Sequence, residues 1–284
     1  MPEYSHSRLS TYEDCPRKFA FRYVEKVETD SEGIEAFVGK RVHEILERLY
    51  HHVGRFGRPP SLRQVLERYA KAWEGEWHDR VTIVRQEISP EDYRQRGADC
   101  LENYYRAHYP FSEGESVGIE ERLRLSLDPE GRYRMVGIAD RIVRFGEGRY
   151  EIHDYKTGSR LPSQRQIDRE RQLALYQIGL EQSYGDVAEV ELVWHYLAQN
   201  RTLRSRRSSE QLEQLRRDTM ELIDTIEAAS EYPARTGPLC RWCDYRELCP
   251  AFREEPTATE GDGEAASRSP GDPLEEPAQL SLIE

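Results

Sequence analysis

No run of 18 or more apolar residues occurs in this 284-residue chain, which leaves no membrane-spanning helix of ordinary length. The opening residues, MPEYSHSRLSTYEDC, carry neither a basic leader nor the apolar stretch of a secretory signal, so the expected compartment is the cytoplasm. No G-x4-G-K-[ST] sequence is present; without that phosphate-cradling loop, any unwinding of a duplex would come from another protein. Internal repeats are absent too. Cysteine is scarce, five residues in all, and a cytoplasmic setting disfavours disulfides. Basic residues are outnumbered, giving a net charge of -12, but the excess acid is local. Residues 254–284 hold nine acidic residues against one arginine, leaving only -4 of that -12 for residues 1–253. A nearly balanced body leaves nucleic-acid binding open, because chelating carboxylates subtract charge where a local basic surface still tracks phosphates.

What the chain does have is enough apolar residue, 37%, for one large domain with elaborations. The first 110 residues read as helical: Ser7 to Tyr23, then IEAFVGKRVHEILERLYHHV with Phe37, Val42, Ile45, Leu46 and Leu49 on one face. Two further helices are predicted near 61–80 and 90–108. The period then changes to two. Segments 116–127, 133–144 and 148–155 alternate as strands joined by the turns DPEGR and FGEGR. A helix near 167–184, the strand VELVWHYLA and a charged helix near 208–230 follow. This order predicts an α/β core with a mixed central sheet flanked by helices, behind a helical N-terminal elaboration with an insertion at about 55–112. The stretch RTLRSRRSSEQLEQLRR, with Arg201, Arg204, Arg206, Arg207, Arg216 and Arg217, reads either as a solvated helix entry or as a surface that tracks phosphates. Residues 254–284 are acidic and rich in Pro, Gly and Ser without aromatics, the composition of a disordered tail.

The chemistry concentrates in RYEIHDYKTGS. In a strand, residues two apart share a face, so Asp154 and Lys156 stand side by side with Tyr155 turned away. One strand back, MVGIADRIVR brings Asp140 to the neighbouring strand, where the two carboxylates can converge on one ion. The helix segment GKRVHEILE offers His43, and GIEERL offers Glu120. Hard oxygen ligands with a lysine beside them are the equipment of metal-assisted phosphodiester hydrolysis. Separately, Cys240, Cys243 and Cys249 form C-x2-C-x5-C, with Cys15 far upstream; four thiolates suit either zinc or an iron-sulfur cluster. Cys100 has no partner and reads as a buried thiol.

Taken in order, these segments resemble the PD-(D/E)XK nucleases. They are most similar to the RecB-like branch, which includes the nuclease domains of bacterial recombination helicase-nucleases and the CRISPR adaptation exonucleases. SRLSTYEDCPRKFAFRYV, GKRVHEILE, GIADRI, IHDYKTG and QLALYQIGL carry the likeness, which spans roughly residues 5–252. The resemblance implies a restriction-endonuclease-like fold over residues 1–253. It implies magnesium or manganese held by His43, Asp140, Asp154 and the Tyr155 carbonyl, Lys156 at the attacking water, and Gln172 and Tyr176 against DNA. It further implies a structural 4Fe-4S cluster on Cys15, Cys240, Cys243 and Cys249, pinning the two ends of the domain together. The expected activity is that of an exonuclease on single strands or DNA ends in repair or recombination. A catalytically idle scaffold assisting a helicase and a CRISPR-associated nuclease that trims spacer precursors are the competing readings. The last six residues, QLSLIE, resemble the peptide by which bacterial proteins dock on the replication sliding clamp, with Ile283 where phenylalanine is usual.

Overall fold

The structure is a computed structural model and describes residues 3–253; the acidic tail 254–284 and its terminal peptide 279–284 lie outside the described residues. Helix α1 (His6–Asp14) begins at Ser5, whose hydroxyl accepts the Arg8 N–H at 3.1 Å, an N-cap that satisfies one orphan donor. A short α2 (Pro16–Phe19) opens with proline at its first position and winds into a π turn, Ala20–Val24. The long α3 (Ile34–Phe56) ends at Gly57 in the left-handed conformation, the usual glycine stop. Helices α4 (Leu62–Glu76) and α5 (Pro90–His108) both start from serine capping boxes. A two-residue parallel bridge, β1 (Glu32–Gly33) with β2 (Val81–Thr82), ties the entry of α3 to the α4–α5 connection.

The sheet follows as β3 (Glu115–Ser126), β4 (Arg134–Arg144), β5 (Arg149–Lys156), β6 (Glu189–Tyr196) and β7 (Arg201–Ser205), in spatial order β3-β4-β5-β6-β7. Only β5 and β6 run parallel. The crossover between them carries α6 (Gln164–Ile167) and α7 (Gln172–Ser183), as a parallel pair requires. Helix α8 (Ser209–Ala228) closes the fold beyond β7. The sheet is thus mixed and covered on both sides. One core joins it to α7, α8 and α1 through Leu123, Ile152, Leu173, Ile178, Trp194 and Ile223. The other packs Tyr155 and Leu197 against α3, α4 and α5.

The arginine-rich stretch divides between an edge strand, which the sequence reading did not foresee, and the first half of α8, which carries Arg216 and Arg217. Residues 201–205 are the edge strand β7, reached through Asn200, which sits at φ +50°, a left-handed position that asparagine tolerates. Three of its arginines are taken up by the fold. Arg204 pairs with Glu151 and Glu191, Arg206 pairs with Glu189 and Glu191, and Arg207 donates to the carbonyls of Ile167 and Glu170. Charged side chains along an exposed edge also discourage pairing with a further strand.

Candidate active site

The site forms where three adjacent strands carry one carboxylate each. Strands β3 and β4 pair Ile119 with Arg141 and Glu121 with Ala139, which sets Glu120 opposite Asp140. Strands β4 and β5 pair Arg141 with His153, so Asp140 stands opposite Asp154 by continuation of the same register. Directly opposed residues share a face, and Glu120, Asp140 and Asp154 make a transverse row. The regular ladder between β4 and β5 stops here because Asp140 Oδ2 accepts the Tyr155 N–H at 2.6 Å; a side chain has replaced a strand carbonyl. Glu120 sits at φ +48°, a conformation that costs a non-glycine residue about 1–3 kcal/mol.

From the facing helix α3, His43 completes the group. Its Nε2–H donates to the Tyr155 carbonyl at 2.8 Å, and its Nδ1 lies 3.4 Å from Asp140 Oδ1. Burial pulls the imidazolium down, but the adjacent Asp140 carboxylate outweighs it and raises His43 to about 9. Glu120 is raised to about 7, first by burial and then by Asp140. His43, Glu120 and Asp140 each offer a ligand atom within 4.8 Å of the others. The two ring nitrogens of His43 thus face two different hard donors, Nε2 the Tyr155 carbonyl and Nδ1 the Asp140 carboxylate. Asp154 Oδ2 is buried with no hydrogen bond directed at it, although Lys156 Nζ stands 2.8 Å away. The donor set therefore fits a hard divalent cation.

Lys156 is half-buried between Asp154 Oδ1, at 3.0 Å, and Gln172 Oε1, at 3.1 Å. Burial works against its charge, yet Asp154 prevails and its pKa lies above the ordinary lysine value. Burial lifts the Asp154 carboxyl, with Lys156 opposing. Gln172 Nε2 in turn donates to Tyr176 Oη at 3.3 Å. Both α7 residues are buried and line the cleft of about 540 Å³ that contains the carboxylates. Gly137 is explained by the same helix: a Cβ there would fall 2.0 Å from the Tyr176 ring, so only glycine lets Tyr176 lie against β4.

Sequence reasoning missed the support behind the site. Arg141, next to Asp140, is buried without a carboxylate partner among the described residues. It donates to Tyr50 Oη (2.8 Å), Ser116 Oγ (2.8 Å) and the Glu113 carbonyl (3.2 Å), and lies 3.8 Å above the Tyr50 ring. Tyr50, Tyr104 and Tyr155 continue the chain through hydroxyl contacts of 2.6 and 3.3 Å. His153 and His195 stack behind them, 2.8 Å apart between ring nitrogens. Burial, and for His195 the neighbouring His153, holds both well below the ordinary histidine value, so the pair stays neutral. The only sequence trace of this layer was an excess of tyrosine and histidine in α3, α5, β5 and β6.

A mixed sheet clasped by helices, with carboxylates, a histidine and a half-buried lysine at the point where two strands part, is the architecture of a metal-dependent phosphodiester hydrolase of the restriction-endonuclease-like kind. The chain belongs to the PD-(D/E)XK nuclease superfamily, whose family model matches residues 3–250. Its fold is similar to the crystal structure of a candidate exonuclease from Eubacterium rectale, with a TM-score of 0.50 at 12% identity. That alignment covers 92% of this chain and 91% of the other. The crystal structure of SSO0001 aligns over 87% of this chain and 96% of its own length at 14% identity, with a TM-score of 0.33. No curated protein matches the sequence. No helix among the described residues is long and apolar enough to cross a membrane.

Proposed function

We propose that this chain is a DNA exonuclease of the RecB-like branch, acting on single strands or ends in cytoplasmic repair or recombination, with residues 1–253 as its nuclease domain. The transverse row Glu120–Asp140–Asp154, closed by His43 and Lys156, carries the reading. Asp140, Asp154, His43 and the Tyr155 carbonyl would hold magnesium or manganese. When bound, the metal supplies charge neutralisation at the scissile phosphate and a more acidic water. Lys156, fixed by Asp154 and Gln172, orients the attacking water and stabilises charge that grows on the phosphate oxygens. Gln172 and Tyr176 place that lysine and face the strand being cut. The test is cleavage of end-labelled single-stranded and duplex DNA, and of RNA, with manganese or magnesium, beside Asp154→Ala. Metal-dependent loss of DNA ends, absent in the variant, supports the reading. DNA binding without cleavage by either protein would overturn it in favour of an idle scaffold.

Proton release offers a separate check on the ligand set. Below about pH 9 metal entry must expel the His43 proton, and below about pH 7 a second from Glu120. Apparent manganese affinity should therefore rise about tenfold per pH unit from 7 to 9, more steeply below 7, and level off above 9. Calorimetry in buffers of different ionisation enthalpy reads the proton count directly. A flat profile from pH 7 to 9 would remove His43 from the ligands.

The cysteines support a 4Fe-4S staple in the same proposal. The Arg235 N–H points at Cys15 Sγ and the Gly237 N–H at Cys240 Sγ, each at 3.4 Å, while Arg235 also binds the Glu13 carbonyl. Residues near Cys240 are thus seated on the N-terminal segment, and Phe21 stacks on Tyr245 with centroids 5.2 Å apart. Backbone N–H groups aimed at sulfur suit metal-bound thiolates. No three cysteine sulfurs gather within 4.8 Å among the described residues. Cys100 is fully buried, its thiol pushed up to about 12 chiefly by burial, and takes no part. Protein purified without oxygen should contain about four iron and four sulfide per chain; stoichiometric zinc would overturn the assignment. Two partners complete the proposal: a helicase that feeds the nuclease strands, and the replication sliding clamp, gripped by Gln279–Glu284. Deleting residues 279–284 should abolish clamp binding in a pull-down with purified clamp.

A further inference from the structure

The cations that line the cleft differ in how they are held. Lys156 is paired with Asp154, Lys40 with Glu32 and Arg122 with Glu3. Arg8, on the opposite wall in α1, has no carboxylate at ion-pair distance among the described residues. Instead, its guanidinium carbon lies 4.6 Å from the Tyr4 ring centroid, 5.0 Å from Tyr23 and 5.7 Å from Phe19. Its one hydrogen-bond acceptor is the Glu3 carbonyl, at 3.2 Å, and its Nε is buried without a partner. Three aromatic faces hold the charge in place while leaving most of its donors free. Across from it the cleft is lined by Glu47 and by Glu44, itself paired with Arg41 and Arg48, on α3, and by Glu120 and Asp140 on the sheet. An arginine pre-ordered by rings, unsatisfied and facing a cleft with acid on its far side, is built to receive an anion there.

We propose that Arg8 is a substrate-binding residue that grips a non-reacting phosphate of the nucleic-acid strand, setting which wall of the cleft the backbone follows. This assignment rests on the nuclease reading above and names the side of the site where the polyanion lies. The acidic wall repels the backbone and favours cations, and the Arg8 wall attracts it. A rigid planar fork suits a phosphate better than a flexible ammonium does, because less rotamer freedom is lost on binding.

The test uses the full chain and a fluorescent single-stranded oligonucleotide, bound with calcium so that it is not cut and cleaved with manganese. Arg8→Gln should weaken binding roughly 10- to 100-fold, within the range of one charge-assisted contact. It should also make the slope of log K against log salt less negative by about 0.7, the value for one phosphate on a single strand. KM should rise with kcat nearly unchanged. Arg8→Lys should restore the slope and only part of the affinity, which separates charge from packing, and thermal midpoints of the three proteins check the fold. An unchanged salt slope in Arg8→Gln overturns the proposal, as does a fall in kcat with KM and slope intact. Wild-type protein that binds the strand but never cuts it defeats the nuclease reading and leaves the slope test of Arg8 decisive. Wild-type protein that does not bind the strand at all defeats both.

Discussion

Replacing Lys156 by alanine should lower cleavage by about 10²- to 10³-fold, the cost of losing one preorganised charge at a transition state, while a divalent cation still binds. The ammonium is 2.8 and 3.0 Å from the two Asp154 oxygens and is fixed from the other side by Gln172. Its removal leaves a buried carboxylate uncompensated, which in a metal-free protein costs on the order of 3–5 kcal/mol. Burial already pushes Asp154 towards its neutral form, so part of that cost is relieved by proton uptake. A bound cation relieves the rest. The expected pattern is a lower thermal midpoint without metal, recovery with manganese, metal affinity equal to or tighter than wild type, and no cleavage. Full activity in Lys156→Ala would sink the assigned role.

Asp140→Asn is expected to separate shape from charge. The asparagine oxygen can still accept the Tyr155 N–H that Asp140 Oδ2 takes at 2.6 Å, so the parting of β4 from β5 and the fold should survive. What disappears is the charge that lifts His43 to about 9. The His43 pKa should fall, since burial is then opposed only by the weaker pull of Glu120 and Asp154, and ring-proton NMR titration reads this directly. Metal affinity should drop by more than about 100-fold, beyond the 10- to 100-fold typical of outer-shell changes, and cleavage should be lost with it. An unshifted His43 titration with intact metal binding would show that the cation is held elsewhere in the row.

Much of this was legible in the sequence because it depends on short-range periodicity. The helix ending at His108 and the strands carrying Asp140 and Asp154 fall within a residue or two of their predicted limits. Turn glycines and serine caps mark those boundaries chemically. Helix α7 shows why other parts were harder to read. All nine residues from Gln172 to Leu180 are buried, so the helix has no polar stripe to reveal which side faces the sheet. The sequence therefore carried no sign that Gln172, which lines the cleft, also accepts a hydrogen bond from Lys156. Strand β7 was hidden for the opposite reason: five residues rich in arginine show no apolar alternation, and their strand character depends on acids borrowed from β5 and β6.

The sequence by itself determined the fold class and the family, because each is written in local spacing. Only the tertiary structure decided that Glu120 joins Asp140 and Asp154 in one row. That row is set by cross-strand register and by a left-handed backbone at Glu120, neither of which leaves a periodic signal in the chain. It also decided which cations are free. Arg204 and Arg206 are neutralised by glutamates from other strands, whereas Arg8 is held by aromatic rings and one carbonyl, with no carboxylate at ion-pair distance among the described residues. Whether a charge is spent or available depends on partners many residues away, and the folded chain alone brings them within reach.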